Sequence, residues 1–104
     1  MARAKEHWGP SLWKFIHTIC IIDFEDNTPY TKDAISILNS IGPVIPCHKC
    51  RPLYEDHLKK LADIDPSQSM VLFKWSWELH NIVNKKHSKP EISYDDALKE
   101  YMRE

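Results

Sequence analysis

The chain has 104 residues, with 14 Lys and Arg against 15 Asp and Glu, a formal net charge of −1 at pH 7. One domain of that length buries only about 60–65% of the surface its unfolded chain exposes, which excludes a large self-sufficient core and makes a bound cofactor or a dimer interface a useful source of stability. Near-neutrality excludes the basic surface that nucleic acid requires, and the Lys59-Lys60 and Lys85-Lys86 pairs read as solvated helix faces.

Residues 1–104 read as a single domain built from helices. There are only two Gly, and the seven Pro sit mostly between periodic segments. The first helix is expected to start near Gly9-Pro10, with Pro in its first turn. It carries Trp8, Leu12, Ile16 and Ile19, and beside them Trp13, His17, Cys20 and Phe24, on helical faces. Asp26-Asn27-Thr28-Pro29 reads as a loop with a cap and a first-turn Pro. A second helix follows, with Ala34, Ile37, Leu38 and Ile41 inward, and Gly42-Pro43 stops it.

A third helix is expected to open at Cys47-His48-Lys49-Cys50 and to run to about Ala62, burying Leu53, Tyr54, His57, Leu58 and Leu61. Pro52 falls just beyond the positions where a missing N–H is free, so this helix is expected to begin late or to kink. Pro66-Ser67 should open a fourth helix that runs to about Lys86 and is apolar on nearly all sides, hence central. On it Phe73, Trp77, His80 and Asn84 form one stripe. A short fifth helix starts at Ser93, with Asp96 completing a capping box and Tyr94, Ala97, Leu98 and Tyr101 inward. Five amphipathic helices on short connections make a bundle.

The segment from Met1 to Pro10 lacks the apolar run of a signal peptide. Trp13 to Phe24, the most apolar stretch, is broken by Lys14, His17 and Asp23 and is too short to span a bilayer. A soluble, cytosolic protein is the expectation.

Three features could carry chemistry. In Cys47-x-x-Cys50 two intervening residues permit a reducible disulfide at a helix N-terminus, where the dipole and the neighbouring Lys49, Arg51 and His48 favour a thiolate. The competing reading is half of a zinc site completed by His57, His80 or His87, although no second C-x-x-C exists. A thioredoxin-like arrangement would need strands that the sequence does not offer. The second feature is Trp75 to Asn84. There His80, Asn81 and Asn84 beside Trp77 could stack on and hydrogen-bond a flat heteroaromatic ligand, or could be core polar groups satisfied internally. The third is Trp8-Gly9-x-x-x-Trp13-x-x-x-His17, an aromatic-and-polar face that ordinary core packing also explains.

Together, Trp8-Gly9-x-x-x-Trp13-x-x-x-His17, Cys47-x-x-Cys50 and Trp75-x-x-x-x-His80-Asn81-x-Val83-Asn84 with Lys89-Pro90 beyond resemble the Erv/ALR family of FAD-dependent sulfhydryl oxidases. The order and spacing match from Trp8 to about Tyr94, and the compactness resembles the short versions encoded by large DNA viruses. The resemblance implies an all-α fold: a four-helix bundle with a short fifth helix, FAD at one end and C-x-x-C at the start of the third helix. It implies that Cys50 lies beside the flavin and that Cys47 meets the substrate. It implies FAD contacts from Trp8, Gly9, Trp13, His17, Tyr54, Trp77, His80, Asn81, Val83, Asn84, Lys86, Lys89 and Tyr94, with no metal. The implied reaction forms disulfides in a protein dithiol, of a thioredoxin-like or small C-x-x-C carrier, and passes the electrons to oxygen as hydrogen peroxide.

The family also implies a homodimer, which here would draw on Ile21, Ile22, Ile35 or Ile41. The expected compartment is the cytoplasm or a viral assembly site, with the mitochondrial intermembrane space as the alternative. This chain lacks the extra shuttle C-x-x-C and the structural disulfide that many members carry. Cys20 matches neither and is expected to be a buried free thiol. A zinc-stabilised helical binding module, or a plain helical interaction domain, would leave the Trp8 and His80 motifs as coincidence.

Overall fold

A computed structural model describes residues 5–22 and 27–102. The expected positions of Phe24 and Asp26 lie outside the described residues. Five α-helices follow one another: α1 (Lys5–Cys20), α2 (Thr28–Ile41), α3 (Arg51–Leu58), α4 (Val71–Lys86) and α5 (Tyr94–Tyr101). No strand occurs among the described residues, and none of the described helices is long and apolar enough to cross a membrane.

The helix boundaries differ from the sequence expectation where proline and polar turns intervene. α1 already runs at Lys5, so Pro10 sits inside it rather than in its first turn. There the proline removes the bond that an N–H at this position would make to the Glu6 carbonyl. α2 carries Pro29 in its first turn and ends where expected. Gly42-Pro43 does not release the chain at once, however, because Gly42–Val44 form one 3-10 turn before Ile45 extends. A Cβ on Gly42 would meet the Tyr54 ring at 3.3 Å, so the glycine lets α3 press against this turn.

α3 begins at Arg51 with Cys50 as its N-cap, placing Pro52 in the first turn, where its missing N–H is harmless. The cysteine pair thus lies at the start of α3, as expected, with Cys50 as its cap. The last residues assigned to this helix, Lys59–Asp63, tighten into 3-10 geometry. α4 begins later than Pro66: Asp65 Oδ1 accepts from the Ser67 N–H and hydroxyl, closing a turn, and Met70 takes a left-handed φ of 62° before the helix starts. Ser93 caps α5 as expected, accepting from the Asp96 N–H at 3.1 Å.

One apolar core joins Ile16, Cys20, Leu38, Tyr54, Leu61, Leu72, Trp75 and Leu79, so α1 to α4 all contribute. In α2 the inward stripe is Thr31, Ala34 and Leu38, while Ile37 is 41% exposed. Ile37 was expected inside; the face that meets the bundle is rotated so that Thr31 takes its place. Cys20 is free and fully buried, as expected. Phe73 is fully buried, edged by Tyr94 and Tyr101 of α5.

Candidate functional site

Cys47 and Cys50 form a disulfide, with Cα atoms 5.3 Å apart. The turn that holds them is fixed at both ends. Arg51 donates from Nε and Nη2 to the Ile45 carbonyl at 3.0 and 2.7 Å, and the Arg51 N–H bonds Cys47 O at 3.0 Å. The Cys50 N–H points at Cys47 Sγ, 3.1 Å away. Cys50 is turned inward with 8% of its surface exposed, while Cys47 is only half-buried. His87, the residue that ends α4, places Nε2 3.4 Å from Cys50 Sγ.

α3 is locked to α4 by a reciprocal pair. His57 Nε2 donates to the Trp75 carbonyl at 2.9 Å, and Trp75 Nε1 donates to the His57 carbonyl at 3.0 Å. Burial lowers the pKa of His57 below 6.5. Tyr54 donates its hydroxyl to the Leu38 carbonyl, and burial raises its pKa.

α1 is tied to α4 by a chain of hydrogen bonds whose directions can be derived. Ser76 donates its hydroxyl to the Phe73 carbonyl at 2.7 Å. With its one proton so placed, Ser76 Oγ can only accept from His17 Nδ1, 2.9 Å away. Neutral His17 then has a bare Nε2, and His80 Nδ1, at 2.9 Å, must be the donor to it. His80 is left with Nε2 as an acceptor. Both rings are neutral: burial, then the neighbouring His80, lowers His17 to about 3, and burial, then Lys89, lowers His80 to about 4. Trp13 stacks on His80 with ring centroids 3.9 Å apart and planes 6° from parallel. Cys20 also hydrogen-bonds Ser76, but burial raises its thiol to about 12, so it stays protonated.

Two cavities meet along the seam between α1 and α4. The larger, about 570 Å³, is lined by Gly9, Trp13, His80, Val83, Asn84 and Lys89, with Lys5, Lys14, His87, Glu100 and Tyr101 among its other walls. The smaller, about 50 Å³, is a narrow apolar slot that continues past Trp8, Gly9, Trp13 and Val83 to Cys50 and Tyr54. A third, about 150 Å³, shares His80, Glu100 and Tyr101 with the first and adds His17, Trp77 and Asn81.

The structure thus brings most of the sequence-nominated residues to connected cavities. Asn81 and Trp77 line the third cavity, but their polar atoms are taken by the chain itself. Asn81 exchanges two hydrogen bonds with the backbone of Ile92, and Trp77 Nε1 donates to the Ile92 carbonyl at 2.7 Å. Lys86 borders a groove on the far side of the disulfide with Lys49, Pro52, Leu53 and His87, and Tyr94 packs edge-on against Trp77 and Phe73; neither lines these cavities. Of the histidines weighed as zinc ligands, only His87 comes to the cysteines. His57 and His80 are bonded elsewhere, and the two sulfurs are joined to each other. Sequence reasoning missed Lys5 and Glu100, and it did not single out His87 among the histidines it weighed beside the cysteines. No motif marks them, because they arrive from the chain's two ends and from a helix terminus.

The description of the Erv1 / Alr family matches residues 10–103. The chain is 36% identical over 98 residues to the "Probable FAD-linked sulfhydryl oxidase" of Acanthamoeba polyphaga mimivirus, covering 89% of this chain and 67% of that one. It is 33% identical over 94 residues to the "FAD-linked sulfhydryl oxidase" of African swine fever virus, covering 86% and 76%. It is 30% identical over 88 residues to the "Mitochondrial FAD-linked sulfhydryl oxidase ERV1" of Saccharomyces cerevisiae, covering 84% of this chain and 46% of the yeast protein.

The neutral histidine pair makes stability depend on pH with a definite sign. The folded values, about 3 for His17 and about 4 for His80, lie below the ordinary 6.5. As pH falls, the unfolded chain takes up these protons first. Their effect is therefore absent above about pH 7, and stability is lost as pH drops through 6.5 toward 4, at up to about 1.4 kcal/mol per pH unit for each histidine. Urea unfolding at a series of pH values should show the midpoint falling between about pH 7 and pH 5, before carboxylates titrate. A flat midpoint across that interval would refute the neutral pair.

Proposed function

The chain belongs to the Erv1 / Alr family, and from that premise we infer that it is an FAD-linked sulfhydryl oxidase acting on protein thiols through the Cys47–Cys50 disulfide. The observation that carries the site assignment is the position of the disulfide: Cys50, buried, lines the apolar slot with residues of α1 and α4, and Cys47 is the more exposed of the pair.

The residues present fit FAD. Trp8 Nε1 is buried with no hydrogen-bond partner among the described residues, beside the slot that ends at Cys50. A flat ring system carrying acceptor atoms would satisfy it. The larger cavity falls within the size range of cofactor pockets and offers Lys5, Lys14 and Lys89 for a diphosphate. His80 Nε2, fixed as an acceptor, would take a donor from the ligand. Trp8, Gly9, Trp13, His80, Val83, Asn84 and Lys89 are the residues proposed to hold the cofactor, with His17 behind His80 and Tyr54 closing the slot.

In the proposed reaction a substrate thiolate attacks Cys47 Sγ, the more exposed sulfur. The Cys47–Cys50 bond breaks and Cys50 leaves as a thiolate. The substrate's second thiolate then displaces Cys47, which leaves the substrate oxidised and the pair reduced. FAD, when bound, supplies the two-electron acceptor that returns the pair to its disulfide. Molecular oxygen is the proposed final acceptor, with hydrogen peroxide as product. Without a shuttle C-x-x-C in this sequence, a thioredoxin-like or small C-x-x-C carrier would meet Cys47 directly. The viral and mitochondrial relatives support either the cytoplasm, as at a viral assembly site, or the mitochondrial intermembrane space.

Homodimerisation is proposed through α1 and α2. Ile22, one of the residues expected on that surface, is taken into this chain's own core at 7% exposure, while Phe15 and Ile37 on the same two helices are 46% and 41% exposed.

Three outcomes are expected. The purified protein should be yellow and should consume oxygen with dithiothreitol, and Cys50→Ser should abolish turnover while retaining the flavin; a colourless protein carrying stoichiometric zinc would refute the assignment. Gly9→Ala should act with opposite signs on the two forms. A Cβ at Gly9 meets nothing in the chain closer than Lys5 Cγ at 3.6 Å, so the flavin-free protein should gain about 0.5–1 kcal/mol from better helix propensity. Flavin affinity should fall, because the same methyl enters the cavity; unchanged affinity by titration would argue against Gly9 as a cofactor contact. Gel filtration at micromolar concentration should give the mass of a dimer, and a monomer would remove the dimer proposal.

A further inference from the structure

The N-terminus of α3 offers Cys50 fewer backbone donors than an ordinary helix start. The Arg51 N–H is already bonded to Cys47 O, and Pro52, the next residue, has no N–H. Of the two backbone donors that usually face an N-cap side chain, the one at Pro52 is therefore missing at Cys50. The nearest side-chain donor comes from another element. His87 is held by its own backbone, with its N–H shared between the carbonyls of Val83 and Asn84 at 3.1 and 3.2 Å. Ser88, with a left-handed φ of 57°, turns the chain away after it. The imidazole is thereby aimed at the disulfide, with Nε2 3.4 Å from Cys50 Sγ. A disulfide sulfur carries no hydrogen, so this bond requires the proton on Nε2.

We propose that His87 is a catalytic residue of the thiol exchange, donating from Nε2 to Cys50 Sγ as that sulfur leaves and so holding it as a thiolate. The proposal rests on the reading that Cys47–Cys50 exchanges with substrate thiols. The substrate sulfur brings the electron pair that forms the new bond to Cys47 Sγ. The pair of the broken Cys47–Cys50 bond stays on Cys50 Sγ. The His87 proton is shared with that sulfur and is not transferred, so charge and electrons balance without a further reactant. A leaving thiol of lower pKa departs faster, and an ordinary cysteine, at about 8.5, would be mostly protonated at neutral pH.

The surroundings favour the same outcome. Lys5 of α1, Lys49 between the cysteines, and Lys86 and Lys89 at the end of α4 all act on His87. After partial burial, they are what hold its pKa below 6.5. The imidazole is thus a neutral donor at rest, and the four lysines add positive potential where the thiolate forms. Glu6 and Glu100, on the walls of the larger cavity, are the opposing charges.

The test uses the flavin-loaded Cys47→Ser protein, in which Cys50 is the one titrating thiol, since Cys20 is buried with its thiol raised to about 12. The ultraviolet absorbance of the thiolate is followed against pH, as a difference from the protein that also carries Cys50→Ser. The Cys50 midpoint should lie well below about 8.5. His87→Ala should raise it by about one unit, a roughly tenfold loss of thiolate below the midpoint. His87→Gln, whose amide nitrogen reaches the place of Nε2, should restore most of the shift. His87→Leu, which keeps bulk without a donor, gives the same reading as alanine if the alanine variant fails to fold. A midpoint that does not move in His87→Ala or His87→Leu overturns the role of His87. If the protein with both cysteines still oxidises dithiothreitol in that case, the oxidase assignment stands without it.

Discussion

The polar atoms of α4 determine how the other helices sit. This helix runs through the middle of the bundle and buries Leu72, Phe73, Trp75 and Leu79, so the polar groups among them cannot reach water and must be bonded by neighbouring elements. The hydroxyl of Ser76 takes His17 of α1. The carbonyl and indole of Trp75 take both ends of the His57 residue in α3. Asn81 and Trp77 take the backbone of Ile92 and so bring α5 across. Sliding or turning α1 or α3 would leave a buried donor or acceptor unpaired, at about 1–3 kcal/mol each, while the exposed bonds to Ile92 orient α5 without that penalty. The apolar contacts supply the drive to pack, and these bonds select the register.

That register has a chemical consequence. With α1 held at His17 and α3 held at His57, the turn carrying Cys47 and Cys50 is brought to the last turn of α4. Hence a residue far along the chain, His87, lies against the Cys50 sulfur. The same lock fixes protonation. One hydroxyl proton, on Ser76, decides which nitrogen of His17 and then of His80 carries hydrogen, so the face that His80 presents to the larger cavity is set from inside the core. The proposed cofactor wall and the core are in this sense one hydrogen-bonded structure, and a change at Ser76 would be felt at His80 without touching the cavity.

The sequence made the helical architecture legible because it rests on short-range pattern, and the candidate site residues became legible through the resemblance to the family. Trp8, Gly9, Trp13 and His17 lie on turns of one helix, and His80 to Asn84 span one turn of another; helical periodicity alone places each set on a face. The positions that escaped depend on long-range competition. Ile37 gave way to Thr31 because the orientation of α2 is decided by its neighbours and not by its own apolar residues. The start of α4 moved to Val71 because the Asp65 turn bonds to Ser67 and Met70 adopts a left-handed conformation, neither of which apolar spacing reports. Asn81 looked like a ligand-binding group, yet the Ile92 backbone holds its amide. Pro52 did signal correctly that α3 starts late, since its effect is local and steric.

What remains unsatisfied in the chain bears on why so small a domain would carry a cofactor at all. Trp8 Nε1 is buried and unpaired among the described residues, Gly9 weakens α1 in its interior relative to alanine, and a seam of connected cavities separates α1 from α4 along part of its length. Each lowers the stability of the flavin-free chain, and each lies where FAD is proposed to bind. A ligand that fills the seam and accepts from Trp8 removes these deficits together, and any ligand bound only by the folded state stabilises it by about 2.7 kcal/mol at a hundredfold excess over its dissociation constant. Of the three buried unpaired groups among the described residues, Trp8 Nε1, Asn27 Oδ1 and His57 Nδ1, Trp8 is the one beside this seam, so the cofactor would complete the core there. Folding and cofactor loading should then be one coupled equilibrium, with α1, the helix that carries Trp8, Gly9 and Trp13, as the element whose packing depends most on the ligand.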